Sequence, residues 1–189
     1  MRLLKQTKIL LIGASTGGPS EIEKIINSLP SLQNTLVVIA QHMPELFLEN
    51  FAKTLQRKSP NPLVPLAKNT PLQSGNIYLC KESMLVDAKS LEFKKPNDKG
   101  FYNPDIEILF GSFVSLAREY EMMAVILTGI GNDGSKAALQ LSQNGARILT
   151  EDAKSSIVDG MPSAVRKSVA KAEAYSLEKI IEEIGGFCV

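Results

Sequence analysis

A repeated order of short apolar strand, turn and amphipathic helix restricts the fold of this chain more than any other feature. Residues 9–12 form an unbroken apolar run that ends in glycine, and residues 36–40 form a second run. Apolar positions at helical spacing follow these runs, namely Ile22, Ile25, Ile26 and Leu29, then Phe47, Phe51 and Leu55. Such runs are typical of strands covered on both faces of a parallel sheet. The sequence therefore predicts a doubly wound α/β fold with a mainly parallel sheet.

The rest of the chain continues this alternation around a less regular middle. After residue 103, further elements are predicted as a helix over 106–116, a strand over 124–127, a helix over 137–141, a strand over 147–149 and a helix over 177–184. Between residues 59 and 103, four short strands are predicted at 63–66, 76–80, 84–87 and 91–93. We expect this middle part to be an antiparallel hairpin excursion with its tip near residues 94–100. Without repeats or a linker, residues 1–189 are expected to form one domain.

Composition excludes several classes of function. The 189 residues include 21 basic and 20 acidic side chains, so the net charge of +1 provides no electrostatic footprint for nucleic acid or for a membrane surface. Two cysteines and a single histidine cannot build a His/Cys zinc cluster or a disulfide framework. No apolar run approaches the roughly 18 residues of a membrane span. We therefore expect a cytoplasmic protein without metal or cofactor and without membrane insertion.

The first glycine-rich loop contains a candidate nucleophile. Gly13-Ala14-Ser15-Thr16-Gly17-Gly18 includes the pattern G-x-S-x-G between a strand and a helix. In that context a sharp turn exposes the serine, and the N-terminus of the helix offers N–H groups to an oxyanion. The alternatives are a loop that binds phosphate or one that only packs. A Walker A loop is excluded because no Gly-Lys-Ser/Thr sequence follows.

Two further polar residues follow predicted strands. His42 comes directly after the second strand, and Asp133 comes just after the strand at 124–127. The carboxyl ends of parallel strands share one edge of a sheet, where ligands bind. Ser15, His42 and Asp133 could therefore form a catalytic triad, which is recognised by geometry rather than by chain order. Taken alone, a histidine at the end of a strand is more often structural.

The second glycine-rich loop supports a rival interpretation. Gly129-Ile130-Gly131-Asn132-Asp133-Gly134 matches G-x-G-x-x-G, and Glu151 and Asp152 follow the next strand, where a dinucleotide-binding domain places its ribose ligand. Against this, Asp133 would put a carboxylate among N–H groups meant for a pyrophosphate. The unit also lies late in the chain, which leaves few residues to complete a nucleotide-binding sheet.

Four separate blocks resemble the catalytic domain of the chemotaxis protein-glutamate methylesterases (CheB). In chain order they are Ile12-Gly13-Ala14-Ser15-Thr16-Gly17-Gly18, Gln41-His42-Met43-Pro44, Val125-Ile126-Leu127-Thr128-Gly129-Ile130-Gly131-Asn132-Asp133-Gly134 and Val158-Asp159-Gly160-Met161-Pro162. The similarity covers nearly the whole chain, and four blocks in the correct order are far more specific than any one of them.

The resemblance implies a serine hydrolase that demethylates glutamyl esters on methyl-accepting chemotaxis receptors and can deamidate glutamines. By matching motif, Ser15 is the expected nucleophile, His42 the general base and Asp133 the residue that orients the histidine. We assign the oxyanion hole to the backbone N–H groups of Thr16 and Ile130. We expect a monomer. A module that binds receptors without catalysis is the remaining alternative.

The chain also departs from the family pattern. Ile130 stands where methionine is usual, which keeps the backbone donor. Asn103 stands where a basic residue commonly precedes proline, and Leu79-Cys80-Lys81-Glu82 replaces a common Ala-Pro-Gly. These differences concern contacts with substrate rather than the triad. Family members commonly carry an N-terminal receiver domain, but here the first catalytic strand begins about residue 8. We therefore expect residues 1–189 to lack that domain and their activity to be independent of phosphorylation.

Overall fold

The computed structural model describes residues 6–98 and 100–189. Nine strands are present in this part of the chain: β1 (Lys8–Ala14), β2 (Thr35–Gln41), β3 (Leu63–Pro65), β4 (Ile77–Leu79), β5 (Leu85–Asp87), β6 (Glu92–Lys94), β7 (Glu121–Ile126), β8 (Arg147–Glu151) and β9 (Glu173–Tyr175). Its six α-helices are α1 (Gly18–Ser28), α2 (Glu45–Lys58), α3 (Ile106–Ser112), α4 (Ser135–Gln143), α5 (Gly160–Ser168) and α6 (Leu177–Cys188). None of these helices combines the length and the apolar character needed to cross a bilayer.

Seven strands form one parallel sheet in the order β3-β4-β2-β1-β7-β8-β9. The central strand β1 is covered on both faces, because alternate side chains enter different apolar layers. Ile9 and Leu11 pack in the layer under α3, α4 and α5, whereas Leu10 and Ile12 pack in the layer under α1, α2 and α6. The doubly wound α/β fold predicted from the apolar runs is thus confirmed.

The middle of the chain differs from the expected excursion. Strands β3 and β4 pair in parallel with each other, and β4 pairs in parallel with β2, so both extend the main sheet. Among the nine described strands, β5 and β6 alone pair in antiparallel orientation, and this pair packs on the layer that contains α3. The turn of this hairpin lies at residues 88–91 rather than near 94–100, and within the latter segment Lys99 lies outside the described residues. Three-residue strands carry too little sequence pattern to distinguish a sheet edge from a hairpin.

Several helix predictions need smaller corrections. Helix α2 is present, but Phe47 is 57% exposed and the fully buried Leu48 takes its place on the apolar face. The helix predicted over 106–116 ends at Ser112, and a separate 3₁₀ turn covers Leu116–Arg118. Helix α5 and strand β9 were not predicted, because each is short and carries little periodic signal. The chain after β8 therefore adds one more parallel strand than expected.

Candidate active site

The three residues expected to form a triad all lie at the carboxyl edge of the sheet. Ser15 directly follows β1, His42 directly follows β2, and Asp133 lies in the turn between β7 and α4. Strands β2 and β7 are the two neighbours of β1, so the side chains converge on the central strand from both sides. The backbone continues this pairing, because the His42 N–H donates to the Ala14 carbonyl at 2.9 Å.

His42 and Asp133 are in direct contact. The imidazole Nε2 and the carboxylate Oδ2 are 2.7 Å apart, and the two side chains are 12% and 2% exposed. Because Nε2 faces the carboxylate, Nδ1 is the nitrogen left for a proton from a substrate or nucleophile. Among the described residues Ser15 Oγ has no hydrogen-bond partner, but Ser15 and His42 line the same cleft of 520 Å³. The structure therefore joins two of the three side chains and places the third beside them.

The carboxylate of Asp133 is also held by the first turn of α3. Its Oδ2 accepts from the Ile106 N–H at 2.9 Å, and its Oδ1 accepts from the Glu107 N–H at 2.8 Å. These N–H groups have no partner inside the helix, and the helix dipole favours negative charge at this end. Asp105 caps the same helix by accepting from the Ile108 N–H. Nothing in the sequence pattern indicated that Asp133 bonds to α3.

Gln41 fixes the ends of β1 and β2 relative to each other. Its Nε2 donates to the Ser15 carbonyl at 2.8 Å and to the His42 carbonyl at 2.9 Å. The side chain is almost completely buried, and a Cβ on Gly18 would lie only 2.2 Å from its Oε1. Glycine is therefore required where α1 begins. Gln41 belongs to one of the sequence blocks noted above, but its role could be assigned only from the structure.

Glycine is also required under the nucleophile. A Cβ on Gly129 would lie 2.4 Å from Met161 Sδ and 2.7 Å from Ser15 Cβ. Gly17, on the other side of Ser15, has a φ of 91°, in the left-handed region that side chains rarely adopt. Two glycines thus let the turn that carries Ser15 pack closely against the loop after β7.

The cleft offers two unused backbone donors. Thr16 and Ile130 both line it, and within residues 6–98 and 100–189 neither backbone N–H donates to an acceptor. Such groups, placed beside a serine, are suited to a developing negative charge on a carbonyl oxygen. Their position is compatible with the oxyanion hole expected at Thr16 and Ile130, which stays a prediction.

Tyr102 was not identified from the sequence as part of the site. Its ring stacks on the imidazole of His42, and Phe101 packs edge-on against Tyr102 with ring centroids 5.0 Å apart. Asn103, the next residue, lines the cleft and accepts through Oδ1 from the Ser83 N–H at 3.0 Å. An uncharged amide therefore faces the cleft at the position where a basic residue is common. Lys81, the other departure, pairs with Glu49 at 3.6 Å.

The loop from Gly129 to Gly134 is not arranged as a nucleotide site. Gly160 at the start of α5 packs so closely that a Cβ there would lie 2.6 Å from the Gly129 carbonyl oxygen and 3.0 Å from the Gly131 nitrogen. Tyr102 covers Gly131 from another side. Of the two acids at the expected ribose position, Glu151 is fully buried, and Asp152 Oδ1 accepts from the N–H groups of Lys154 and Ser155. Pyrophosphate and ribose would have to occupy space that protein atoms fill, so the dinucleotide alternative is not supported.

One carboxyl group next to the site has a perturbed pKa. Burial raises the pKa of Glu107 above its ordinary range, although the N–H groups of Ala137 and Lys136 partly oppose this. Glu107 lies in the same turn of α3 that holds Asp133. In the described part of the chain, no group of three or more His, Cys, Asp or Glu side chains is arranged to bind a metal ion.

The chain is similar to proteins of known family. The family model for CheB methylesterase matches residues 10–184. Protein-glutamate methylesterase/protein-glutamine glutaminase 1 of Saccharophagus degradans is 34% identical over 187 residues, which are 97% of this chain and 51% of that protein. The corresponding enzyme 3 of Vibrio cholerae is 31% identical over 168 residues, with 86% and 47% covered. The chain thus spans about half the length of the curated relatives it matches.

A solved structure is similar over its whole length. The crystal structure of the Thermotoga maritima CheB methylesterase catalytic domain matches with a TM-score of 0.85 and 26% identity, covering 96% of this chain and 98% of that one. The match includes the doubly wound sheet whose carboxyl edge carries Ser15, His42 and Asp133. On the family model, the relatives and the fold, this chain belongs to the CheB methylesterase family.

Proposed function

We propose that this chain is a serine hydrolase that demethylates glutamyl methyl esters on methyl-accepting chemotaxis receptors and deamidates receptor glutamines. The observation that carries the proposal is the 2.7 Å contact between His42 and Asp133 beside Ser15 in an open cleft. Family membership and the names of the relatives support the substrate class. Two buried free cysteines, Cys80 and Cys188, support a reducing compartment such as the cytoplasm, and we propose that the chain is a monomer.

In the first step, Ser15 attacks the carbonyl carbon of the ester. Nδ1 of His42 accepts the Ser15 proton while Nε2 donates to Asp133. The two imidazole nitrogens are thus exchanged relative to the usual Ser-His-Asp arrangement, in which Nδ1 faces the carboxylate. The proton then passes from His42 to the leaving methoxide, methanol departs, and an acyl-enzyme remains on Ser15.

The negative charge of the tetrahedral intermediate requires donors that need no rearrangement. Thr16 and Ile130 line the cleft together with Ser15, and their N–H groups have no acceptor among the described residues. A missing donor of this kind typically costs about 3 kcal/mol of transition-state stabilisation. Proline at either position would remove the donor but would also fix φ and disturb the loop, so substitution of the serine gives the sharper test.

In the second step, water completes the hydrolysis. His42 takes a proton from a water molecule as the water attacks the acyl carbon, and it returns this proton to Ser15 Oγ as the acyl bond breaks, which leaves a free glutamate side chain. Deamidation follows the same route with ammonia as the leaving group, so one set of residues serves both reactions. The walls of the cleft include Met43, Pro44 and Phe101, which suit the apolar stem of a glutamyl side chain.

Methanol release from methylated receptor membranes tests the proposal directly. Ser15→Ala should reduce turnover by about six orders of magnitude, that is, to the background of the assay. Ser28→Ala is the matched control, because Ser28 is an exposed serine in the last turn of α1 whose hydroxyl donates to the Lys24 carbonyl. Methanol release at the wild-type rate by Ser15→Ala would exclude Ser15 as the nucleophile.

Labelling distinguishes catalysis from receptor binding alone. A serine-reactive fluorophosphonate should attach to Ser15 in the wild type and should label His42→Ala at least about a hundredfold more slowly, because the serine then lacks its base. A chain that binds receptor membranes but leaves Ser15 unlabelled would be a binding module rather than a hydrolase.

A further inference from the structure

Two carboxyl groups are buried together behind the turn that carries Ser15. Glu21 lies in the first turn of α1 and is 3% exposed, and Glu151 is the last residue of β8 and is fully buried. The two side chains are neighbours, since each carboxyl group affects the pKa of the other, and Glu21 Oε2 is buried without a hydrogen-bond donor among the described residues. Neither forms an ion pair within the described part of the chain. Since two adjacent carboxylates cannot both stay charged in the interior without compensation, one of the two must hold the proton that joins them.

Thr128 connects this pair to the nucleophile. Its backbone N–H donates to Glu151 Oε2 at 3.2 Å, and its carbonyl accepts from the Ser15 N–H at 2.9 Å. Its hydroxyl donates to the Thr16 carbonyl at 2.9 Å and accepts from the Val158 N–H at 2.8 Å. All the polar groups of Thr128 are therefore used, and a shift of Glu151 must be transmitted to Ser15 and Thr16.

We propose that Glu21 and Glu151 share one proton and act as a positioning pair that holds Thr128, and through it the Ser15 turn, in the reactive geometry. This inference rests on the proposed hydrolase function. The neutral partner of the pair lets both side chains remain buried, and the ionised partner accepts from Thr128. Loss of the shared proton places a second negative charge behind the nucleophile and displaces the turn.

The surroundings of the pair determine the pH at which this proton is lost. Burial, and next the charge of Glu151, raise the pKa of Glu21 to about 8. Burial likewise raises the pKa of Glu151. The groups that face the pair are the Thr128 N–H, the Ser155 hydroxyl 2.9 Å from Glu151 Oε1, the ammonium of Lys24 and the carboxylate of Asp152. Turnover should therefore decline on the alkaline side as the pair loses its proton.

A double variant with amides tests the shared proton. Glu21→Gln with Glu151→Gln keeps the shape and the hydrogen bonds of the pair but cannot ionise. Wild-type kcat for methanol release should fall about tenfold per pH unit above about pH 8, and the double variant should lack this fall while keeping kcat at pH 7 within about threefold. An alkaline fall that persists unchanged in the double variant would overturn the proposal.

A truncation tests the positioning role. Glu151→Ala removes the acceptor for the Thr128 N–H, so kcat should fall about tenfold with KM unchanged, and glutamine at 151 should restore it. Glu173→Gln is the control, because Glu173 lies on the edge strand β9 and its carboxylate accepts from Arg147 of β8 rather than from Thr128. If Glu151→Ala does not fold, the double amide variant still decides the question.

Infrared spectroscopy separates this inference from the proposed function. The wild type at pH 7 should show the carbonyl stretch of one protonated buried carboxyl group, and the double variant should lack it. A wild type without that band contradicts the shared proton, whatever its substrate. The protein could also show the band, lose it above about pH 8 and yet release no methanol. That result would support the shared proton and contradict only the proposed methylesterase function.

Discussion

The phenol ring of Tyr102 lies flat on the imidazole of His42, with ring centroids 4.7 Å apart and planes 8° from parallel. The other constraint on the imidazole is the bond from Nε2 to Asp133, which fixes one atom but leaves the ring free to turn about that bond. The stack therefore sets the plane of the ring and with it the direction in which Nδ1 points.

Loss of this stack should reduce turnover without removing the base. An aromatic pair of this geometry contributes about 0.5–1.5 kcal/mol, so Tyr102→Leu should lower kcat by up to about tenfold. Tyr102→Phe keeps the ring and should retain wild-type turnover. Steady-state methanol release measures both variants, and Phe101→Leu tests the neighbouring ring, which does not stack on His42. Equal losses in Tyr102→Phe and Tyr102→Leu would assign the effect to the hydroxyl instead.

Asp133→Asn should damage turnover and stability together. Both carboxylate oxygens accept from N–H groups, so either orientation of the amide turns its NH₂ group toward a donor. We expect kcat to fall by about four orders of magnitude, because the imidazole loses its orienting acceptor. The helix end loses a charged acceptor, which should reduce the free energy of unfolding by about 1–2 kcal/mol. Methanol release and urea denaturation measure the two effects, and a change in only one of them would contradict the shared role.

Gly129→Ala should impair catalysis through steric displacement. The added Cβ would meet Met161 Sδ at 2.4 Å and Ser15 Cβ at 2.7 Å, so the serine must move. Displacements of this size at a nucleophile typically cost about a hundredfold in rate. Gly185→Ala in α6 is the control, since its Cβ would meet nothing within 4 Å and should stabilise the helix by about 0.5–1 kcal/mol. Fluorophosphonate labelling rates and thermal melts give the two readouts, and unchanged labelling of Gly129→Ala would contradict the displacement.

Stability should fall as the pH rises from about 5 to about 8. The folded pKa of Glu21 is raised from 4.5 to about 8, so over this range the folded state holds a proton that the unfolded chain has released. The resulting loss amounts to at most roughly 4 kcal/mol. Carboxyl groups with a lowered pKa, such as Asp152 and Glu173, make the protein more stable as the pH rises, but they do so at pH values below about 5. Urea denaturation at several pH values gives the free energy of unfolding. This free energy should vary less with pH in the double variant Glu21→Gln with Glu151→Gln than in the wild type, and an equal variation in both proteins would contradict the assignment.

The sequence was sufficient for the central architecture and for the edge on which the site lies. Apolar runs at residues 9–12 and 36–40 mark strands buried on both faces, and the position of Ser15 and His42 after these runs follows from the common edge of a parallel sheet. The outer strands were harder, because β3 and β4 have three residues each and their pattern also fits a hairpin. Their place is decided by pairing with β2, which is a tertiary contact.

Contacts between distant segments explain what the sequence could not predict at the site. Asp133 bonds to α3, Tyr102 stacks on His42, and Glu21 meets Glu151, in each case across dozens of residues. No spacing rule connects such positions, since the order of the strands decides which loops meet. The catalytic roles of Ser15, His42 and Asp133 and the oxyanion-hole role of Thr16 and Ile130 stay predictions that the experiments above address.

The seven-residue helix α3 is too short to persist alone, and Asp133 supplies two of the acceptors at its first turn. The same carboxylate is the partner of His42. A molecule in which this segment has come loose would still contain every residue needed for the chemistry, but α3 would no longer hold the carboxylate that orients the imidazole. The rate at which such molecules lose and regain activity should therefore report the opening and closing of one short helix, long before the sheet itself unfolds.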